Sequence, residues 1–184
     1  YPILLEKNFN NNTIFIIEAS SYQLEYSKFF QSNYSMILNL HPNHLERHGN
    51  FKKYVGSKFK LIKNQSKRDY AFIENKNKIL NKLIKKNQIK SKIKKVNYKK
   101  YLNYLKYIKN NYFKNLNNIK NLSFIFEISK ILKINFSKVL EATNKFKGLN
   151  YRQQIIYNSK KITVINDSKS TSFSSSKLLL ESYE

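Results

Sequence analysis

Short apolar runs alternate with amphipathic stretches along this chain, and the alternation predicts its elements before any residue is given a role. Thr13-Ile14-Phe15-Ile16-Ile17 and Tyr34 to Leu40 are rich in β-branched and aromatic residues, the pattern of strands buried on both faces. At about 100° per residue, residues 51 to 64 place Phe51, Tyr54, Val55, Phe59, Leu61 and Ile62 on one helical face. A strand near Tyr70 to Ile73 and a helix from about Lys78 to Lys86 follow. Residues 88 to 115 fit neither period cleanly, apart from a short strand around Ile93 to Val96. Residues 118 to 132 and 136 to 146 read as two helices, with Leu122, Ile125, Phe126 and Ile128 to Leu132 supplying apolar surface. Beyond Gly148, Arg152 to Tyr157 and Lys161 to Ile165 read as a hairpin, followed by a polar loop and a helix from about Ser174. Strands and helices in this order predict a parallel α/β fold, with a boundary near Gly148 to Asn150.

One residue breaks the pattern. Lys58 lies at the centre of the apolar face of the helix over 51 to 64, whereas Lys52, Lys53, Lys60 and Lys63 point the other way. An ammonium on such a face is costly. It must snorkel, pair with an acid, or be held as a neutral and chemically useful amine.

Chemistry in parallel α/β folds gathers beyond the carboxyl ends of the strands. The first predicted strand runs into Glu18-Ala19-Ser20-Ser21-Tyr22-Gln23-Leu24-Glu25. An acid placed there suits a hard cation, and a helix N-cap explains the same segment without any ligand. The second strand runs into Asn39-Leu40-His41-Pro42-Asn43-His44-Leu45-Glu46-Arg47-His48, which holds all three histidines of the chain. A zinc site made of these alone, with no cysteine, is a weak reading. The loop Asn166-Asp167-Ser168-Lys169-Ser170-Thr171-Ser172 is dense in donors and opens a helix, which suits either an anionic ligand or simple capping.

Charge adds a competing picture. The 184 residues carry 35 Lys and Arg against 11 Asp and Glu, a formal charge of +24, and no acid occurs between Glu74 and Glu127. Tyr98, Tyr101, Tyr104 and Tyr107 alternate with lysines in that stretch, as in some single-strand binders. The excess is Lys rather than Arg and accompanies heavy use of Asn, Ile and Tyr throughout, which is a chain-wide bias rather than a nucleic-acid patch. The absence of Cys excludes disulfides and thiolate zinc sites. No run reaches the ~18 to 20 apolar residues of a membrane span, and no signal-peptide pattern is present.

Several segments together resemble the Mur ligases of bacterial cell-wall synthesis. They are Ile17-Glu18-Ala19-Ser20-Ser21-Tyr22-Gln23-Leu24-Glu25, Leu38-Asn39 through His44-Leu45-Glu46-Arg47-His48-Gly49, and Tyr54-Val55-Gly56-Ser57-Lys58. Asn118-Ile119-Lys120-Asn121, Phe146-Lys147-Gly148-Leu149 with Arg152, and Ile165-Asn166-Asp167-Ser168-Lys169-Ser170-Thr171 continue the likeness. Residues 13 to 64 and 117 to 181 carry it; residues 65 to 116 follow only in the order of elements.

The resemblance implies a cytoplasmic, monomeric, ATP- and magnesium-dependent ligase. Its substrates would be UDP-N-acetylmuramoyl-L-alanine and D-glutamate, joined through an acyl phosphate. It implies Glu18 and His44 as magnesium ligands, with Lys58 joining them as a carbamate formed with CO2. His44, Lys58, Arg152 and Lys169 would form the catalytic set. Asn118, Asn121 and Asp167 would face the nucleotide, Ser20 and Gln23 the muramoyl substrate, and Thr171 D-glutamate. Asn43 and Asn117 depart from the family, which commonly has Asp and His at those places. The expected fold is the later part of a P-loop-type central domain over 1–149, followed from 150 to 184 by the start of a Rossmann-like C-terminal domain. The chain's three glycines, Gly49, Gly56 and Gly148, make no phosphate-cradling loop, so that loop is expected upstream of Tyr1 and the chain alone is expected to be inactive. Two alternatives stay open here, a related folylpolyglutamate-type amide ligase and a basic nucleic-acid module.

Overall fold

The computed structural model describes residues 9–10, 13–170, 176 and 179–180. In chain order its elements are α1 (Ser21–Tyr26), β1 (Tyr34–Ile37), α2 (Leu45–His48), α3 (Phe51–Lys63), β2 (Tyr70–Glu74), α4 (Lys78–Lys86) and β3 (Lys92–Val96). After two 3-10 segments, Tyr98–Tyr107 and Asn111–Phe113, come α5 (Leu116–Ile131), α6 (Phe136–Lys145), β4 (Gln154–Asn158) and β5 (Thr163–Asn166).

β1, β2 and β3 form a parallel sheet in that order, and β4 and β5 form a separate antiparallel hairpin. The central place of β2 follows from its apolar run, since Ala71, Phe72 and Ile73 are fully buried. Successive side chains of a strand face opposite ways. Ala71 and Ile73 therefore join Ile37 of β1, Phe59 and Ile62 of α3, and Leu80 of α4 on one face. Phe72 meets Val96 and Phe124 of α5 on the other. The result is a three-layer α/β arrangement, and cutting a buried Phe such as this one to Ala typically costs ~3–5 kcal/mol.

The heavy use of Asn has a local purpose. Asn50, Asn77, Asn115 and Asn135 cap α3, α4, α5 and α6, each accepting a backbone N–H of the first turn on its side-chain oxygen.

Two expectations need correction. Thr13 to Ile17 is not a strand: it makes no ladder with β1 among the described residues, and Ile16 is 92% exposed. An apolar run becomes a strand only where a neighbouring strand pairs with it, and pattern alone cannot supply that neighbour. In α5, Ile125 faces solvent and Phe124 takes the core position instead, because the helix buries two sides, one on the sheet and one on the 3-10 segment. The stretch without a clear period becomes that segment, in which Tyr101 is buried against Leu122, Phe126 and Val139. Its hydroxyl donates to Glu127 at 2.5 Å and accepts from Lys130 at 2.9 Å. Burial, helped by Glu127, pushes this phenol far above its ordinary range. Tyr104 packs on Phe126 and Phe136, so two of the four tyrosines that alternate with lysines serve the core. The helix expected from about Ser174 is seen only at Ser176, Leu179 and Leu180; its remainder lies outside the described residues.

The amino ends of β1 and β2 are held by polar contacts. The buried Asp69 accepts from the Ser66 backbone N–H and the Gln31 amide at 2.7 Å each, and from Asn33 at 3.3 Å. Burial alone would raise this carboxyl, but the hydrogen bonds outweigh it and hold the group below its usual range. A carboxyl depressed in the folded state adds stability above the unfolded value of roughly 4 and loses it as pH falls through the lower folded value. Asp69→Asn, which turns an amide towards these donors, is expected to cost about 1–3 kcal/mol at pH 7. Urea unfolding of a protein carrying this chain should show that gap shrinking as the pH is lowered below 4; a gap independent of pH would contradict the assignment.

Candidate functional site

The segment after Ile17 turns into α1 through Ser20. Its Oγ accepts from the Gln23 N–H at 3.2 Å, and Gln23 Oε1 accepts from the Ser20 N–H at 2.8 Å, a reciprocal capping box. Both residues expected to face a substrate thus order the start of α1, with Gln23 exposed. Glu18 is likewise exposed, and its carboxylate lies 3.9 Å from the Arg152 guanidinium.

Beyond β1 the chain reaches His44, the N-cap of α2, in the left-handed region at φ 56°. A non-glycine residue there costs of order 1–3 kcal/mol and persists only when its surroundings hold it. Asn43 supplies part of the hold, its side-chain oxygen accepting the His44 N–H at 3.0 Å. The amide keeps the acceptor that an aspartate would offer and lacks only its charge.

His48, at the other end of α2, is buried. Its Nε2 is 3.0 Å from the Ser21 hydroxyl, and its Nδ1 is 3.5 Å from a Glu25 carboxylate oxygen without hydrogen-bond geometry. The Tyr22 ring stacks on it at 5.4 Å and 12°, and Tyr54 of α3 meets it edge-on at 5.6 Å. Tyr22 also touches the His44 ring at 5.0 Å, and Lys58 Nζ lies 5.1 Å from the centroid of Tyr54. An aromatic column of Tyr22, His48 and Tyr54 therefore runs from His44 to Lys58, and binds α1, α2 and α3 into one unit. Burial, with the Glu46 charge adding to it, raises the Tyr22 phenol above its ordinary value.

The lysines of α3 differ from expectation in two ways. Lys58 is half-buried over an aromatic face rather than sunk in the apolar one, which Tyr54, Val55, Phe59 and Ile62 fill. Lys60 does not point into solvent: its ammonium donates to the Glu25 carbonyl at the end of α1. Helical spacing places a side chain on a face, but a long flexible stem decides where its charge ends.

A second constellation forms where α5 meets the hairpin. Asn118 is buried, and its amide donates to the Tyr112 carbonyl at 2.7 Å and to Gln153 Oε1 at 3.2 Å; Asn115 reaches the same Gln153 oxygen. Gln153 N–H donates to Asp167 at 3.1 Å, and Lys169 N–H donates to the Tyr151 carbonyl at 3.0 Å. Tyr151 and Gln153 have φ of 66° and 48°, so this junction stores strain that the surrounding bonds hold in place. Asn121 and the Lys169 side chain are exposed, and Thr171 lies outside the described residues.

The structure thus brings His44 and Lys58 to one column and Arg152 beside Glu18, while Asn118, Asp167 and Lys169 gather at the junction. Sequence reasoning missed Tyr22, Tyr54 and Gln153 as partners, because contacts between side chains of different elements leave no local period. Among the described residues no three His, Cys, Asp or Glu side chains gather as a metal cage, and the histidines do not converge, His41 being exposed and His48 enclosed.

Comparison with known proteins bears on what this unit is. The family model described as the Mur ligase middle domain matches residues 2–144. Among curated proteins, one from Elusimicrobium minutum named UDP-N-acetylmuramoylalanine--D-glutamate ligase is 30% identical over 92% of this chain and 40% of its own length. Proteins of the same name from Clostridioides difficile and Thermosipho melanesiensis are 29% and 44% identical, over 95% and 52% of this chain and 42% and 21% of theirs. The chain therefore spans about two fifths of the length of relatives that match nearly all of it. With the middle-domain model covering most of its residues, and the α/β sheet that carries them parallel, the chain belongs to the Mur ligase family.

Proposed function

We propose that this chain is the nucleotide- and substrate-facing part of an ATP-dependent ligase of peptidoglycan synthesis that joins D-glutamate to UDP-N-acetylmuramoyl-L-alanine. The observation that carries the reading is the aromatic column, which sets His44 and Lys58 at its two ends beside the helix begun by Ser20 and Gln23. The names of the relatives supply the substrates, and the shared motifs supply the roles.

In this reading a carboxylate of the muramoyl substrate takes the γ-phosphoryl group of ATP. The amine of D-glutamate then attacks the acyl carbon, and phosphate leaves from the tetrahedral intermediate. Ser20 and Gln23 hold the muramoyl substrate, and Asn118, Asn121 and Asp167 face the nucleotide. Arg152 and Lys169 offset charge on the phosphates, and Thr171 binds D-glutamate. Lys58 Nζ adds to CO2 and loses a proton, which converts the amine into an anionic oxygen ligand. The donors fit a magnesium ion shared with a nucleotide, for such ions keep waters and phosphate oxygens and take few protein ligands. Glu18, His44 and the Lys58 carbamate would hold it, and bound there it would neutralise phosphate charge.

Three outcomes test the reading. In a full-length ligase carrying this chain, Lys58→Ala is expected to lower kcat/KM about a hundredfold or more, the scale of a misplaced reacting group, and added acetate should restore part of it. Lys53→Ala, on the exposed side of α3, is the matched control; Lys60 is unsuitable because it anchors α1. Equal losses at Lys53 and Lys58 would remove the carbamate role. The chain by itself has no glycine to spare for a phosphate cradle, since Gly49 closes α2 and Gly148 turns at φ 80° against Tyr112, while Gly56 lies within α3. Calorimetry on the chain alone is expected to show only weak ATP binding that salt abolishes; saturable micromolar binding at high salt would contradict this.

A further inference from the structure

We propose that His48 is the positioning residue of this site, a buried clasp that keeps the substrate helix α1 in register with the His44 loop and the Lys58 helix. This rests on the ligase reading above and assigns a residue to which that reading gives no role. The imidazole is 2% exposed and touches three elements at once: Ser21 and Tyr22 of α1, its own α2, and Tyr54 of α3.

Its Nε2 shares a hydrogen bond with the Ser21 hydroxyl at 3.0 Å, and its Nδ1 stands 3.5 Å from a Glu25 carboxylate oxygen without hydrogen-bond geometry. Both rings that flank the imidazole belong to the column ending in His44 and Lys58. α1 has only six residues and no intrinsic persistence at that length, so its place depends on what it is packed against. His48 bonds Ser21 in its first turn, and Lys60 donates to the Glu25 carbonyl near its end.

Ser21, His48 and Glu25 share the order of a hydrolytic triad, but Ser21 is 4% exposed and its hydroxyl is enclosed with the imidazole. No substrate carbonyl reaches it, so the group orients neighbours and does not attack. Ser20, next in the chain, then faces outward with its cap in place.

The test compares His48→Ala and His48→Gln with wild type in a full-length ligase carrying this chain. Gln places an amide near the position of Nε2 and can keep the Ser21 bond, so it is the conservative variant. With His48→Ala the KM for the UDP-linked substrate is expected to rise about tenfold or more, with the KM for ATP within about twofold, and His48→Gln should recover most of the loss. Hydrogen exchange supplies a readout independent of activity: the amides of residues 24–27 should lose protection in His48→Ala and regain it in His48→Gln. Unchanged exchange there, or a loss of activity that matches the fall in folded protein for every substrate alike, would overturn the proposal. A wild-type protein that binds nucleotide but joins no D-glutamate would overturn the functional reading and the kinetic half of this one, while the exchange data would still decide the clasp.

Discussion

One enclosed imidazole, that of His48, lies where α1, α2 and α3 meet. His48 has lost its water, and a polar ring without water must be matched on each edge and face or the fold is weakened by about 1–3 kcal/mol for each group left unmet. Ser21 meets one edge, Glu25 stands off the other, and Tyr22 and Tyr54 cover the faces. These contacts join α1, α2 and α3. The ends of the column are the His44 ring and the Lys58 ammonium.

The second constraint is backbone strain held by side chains. His44, Tyr151 and Gln153 all adopt left-handed conformations that their residue types disfavour. Each is held by an amide or carboxylate: Asn43 for His44, Gln154 for Tyr151, and Asp167 for Gln153. Their two places, the loop after β1 and the junction with the hairpin, also carry sequence motifs; a fourth left-handed non-glycine residue, Lys133 at φ 55°, lies in the turn between α5 and α6. Each left-handed residue of this kind costs of order 1–3 kcal/mol and persists only where its surroundings hold it.

The strong positive charge has a plainer place in the molecule. Lysines stand over aromatic faces at Tyr54, Tyr70, Tyr98, Tyr101, Tyr107 and Tyr151. Pairing of this kind lets a chain poor in acids and rich in Lys and Tyr satisfy part of its charge without salt bridges. Tyr101 and Tyr104 are used in packing, which leaves the alternation of Lys and Tyr without a continuous stacking surface.

The sequence alone determined the elements whose signal is local. The helices at Phe51–Lys63 and Lys78–Lys86, the strand at Tyr70–Glu74 and the closing hairpin follow from period and capping, because neighbouring residues on one face need only one another to be recognised. The family motifs were legible for the same reason, being contiguous in the chain. Tertiary structure alone decided the rest. Thr13 to Ile17 has the composition of a strand but makes no ladder among the described residues, since pairing depends on a partner and not on composition. Lys58 ended over the Tyr54 ring and Lys60 on the Glu25 carbonyl, because long side chains choose among surroundings that only packing creates. His48 looked like one of three candidate ligands in one segment, and its burial was decided only when Ser21 and Tyr22, far from it in sequence, closed around it.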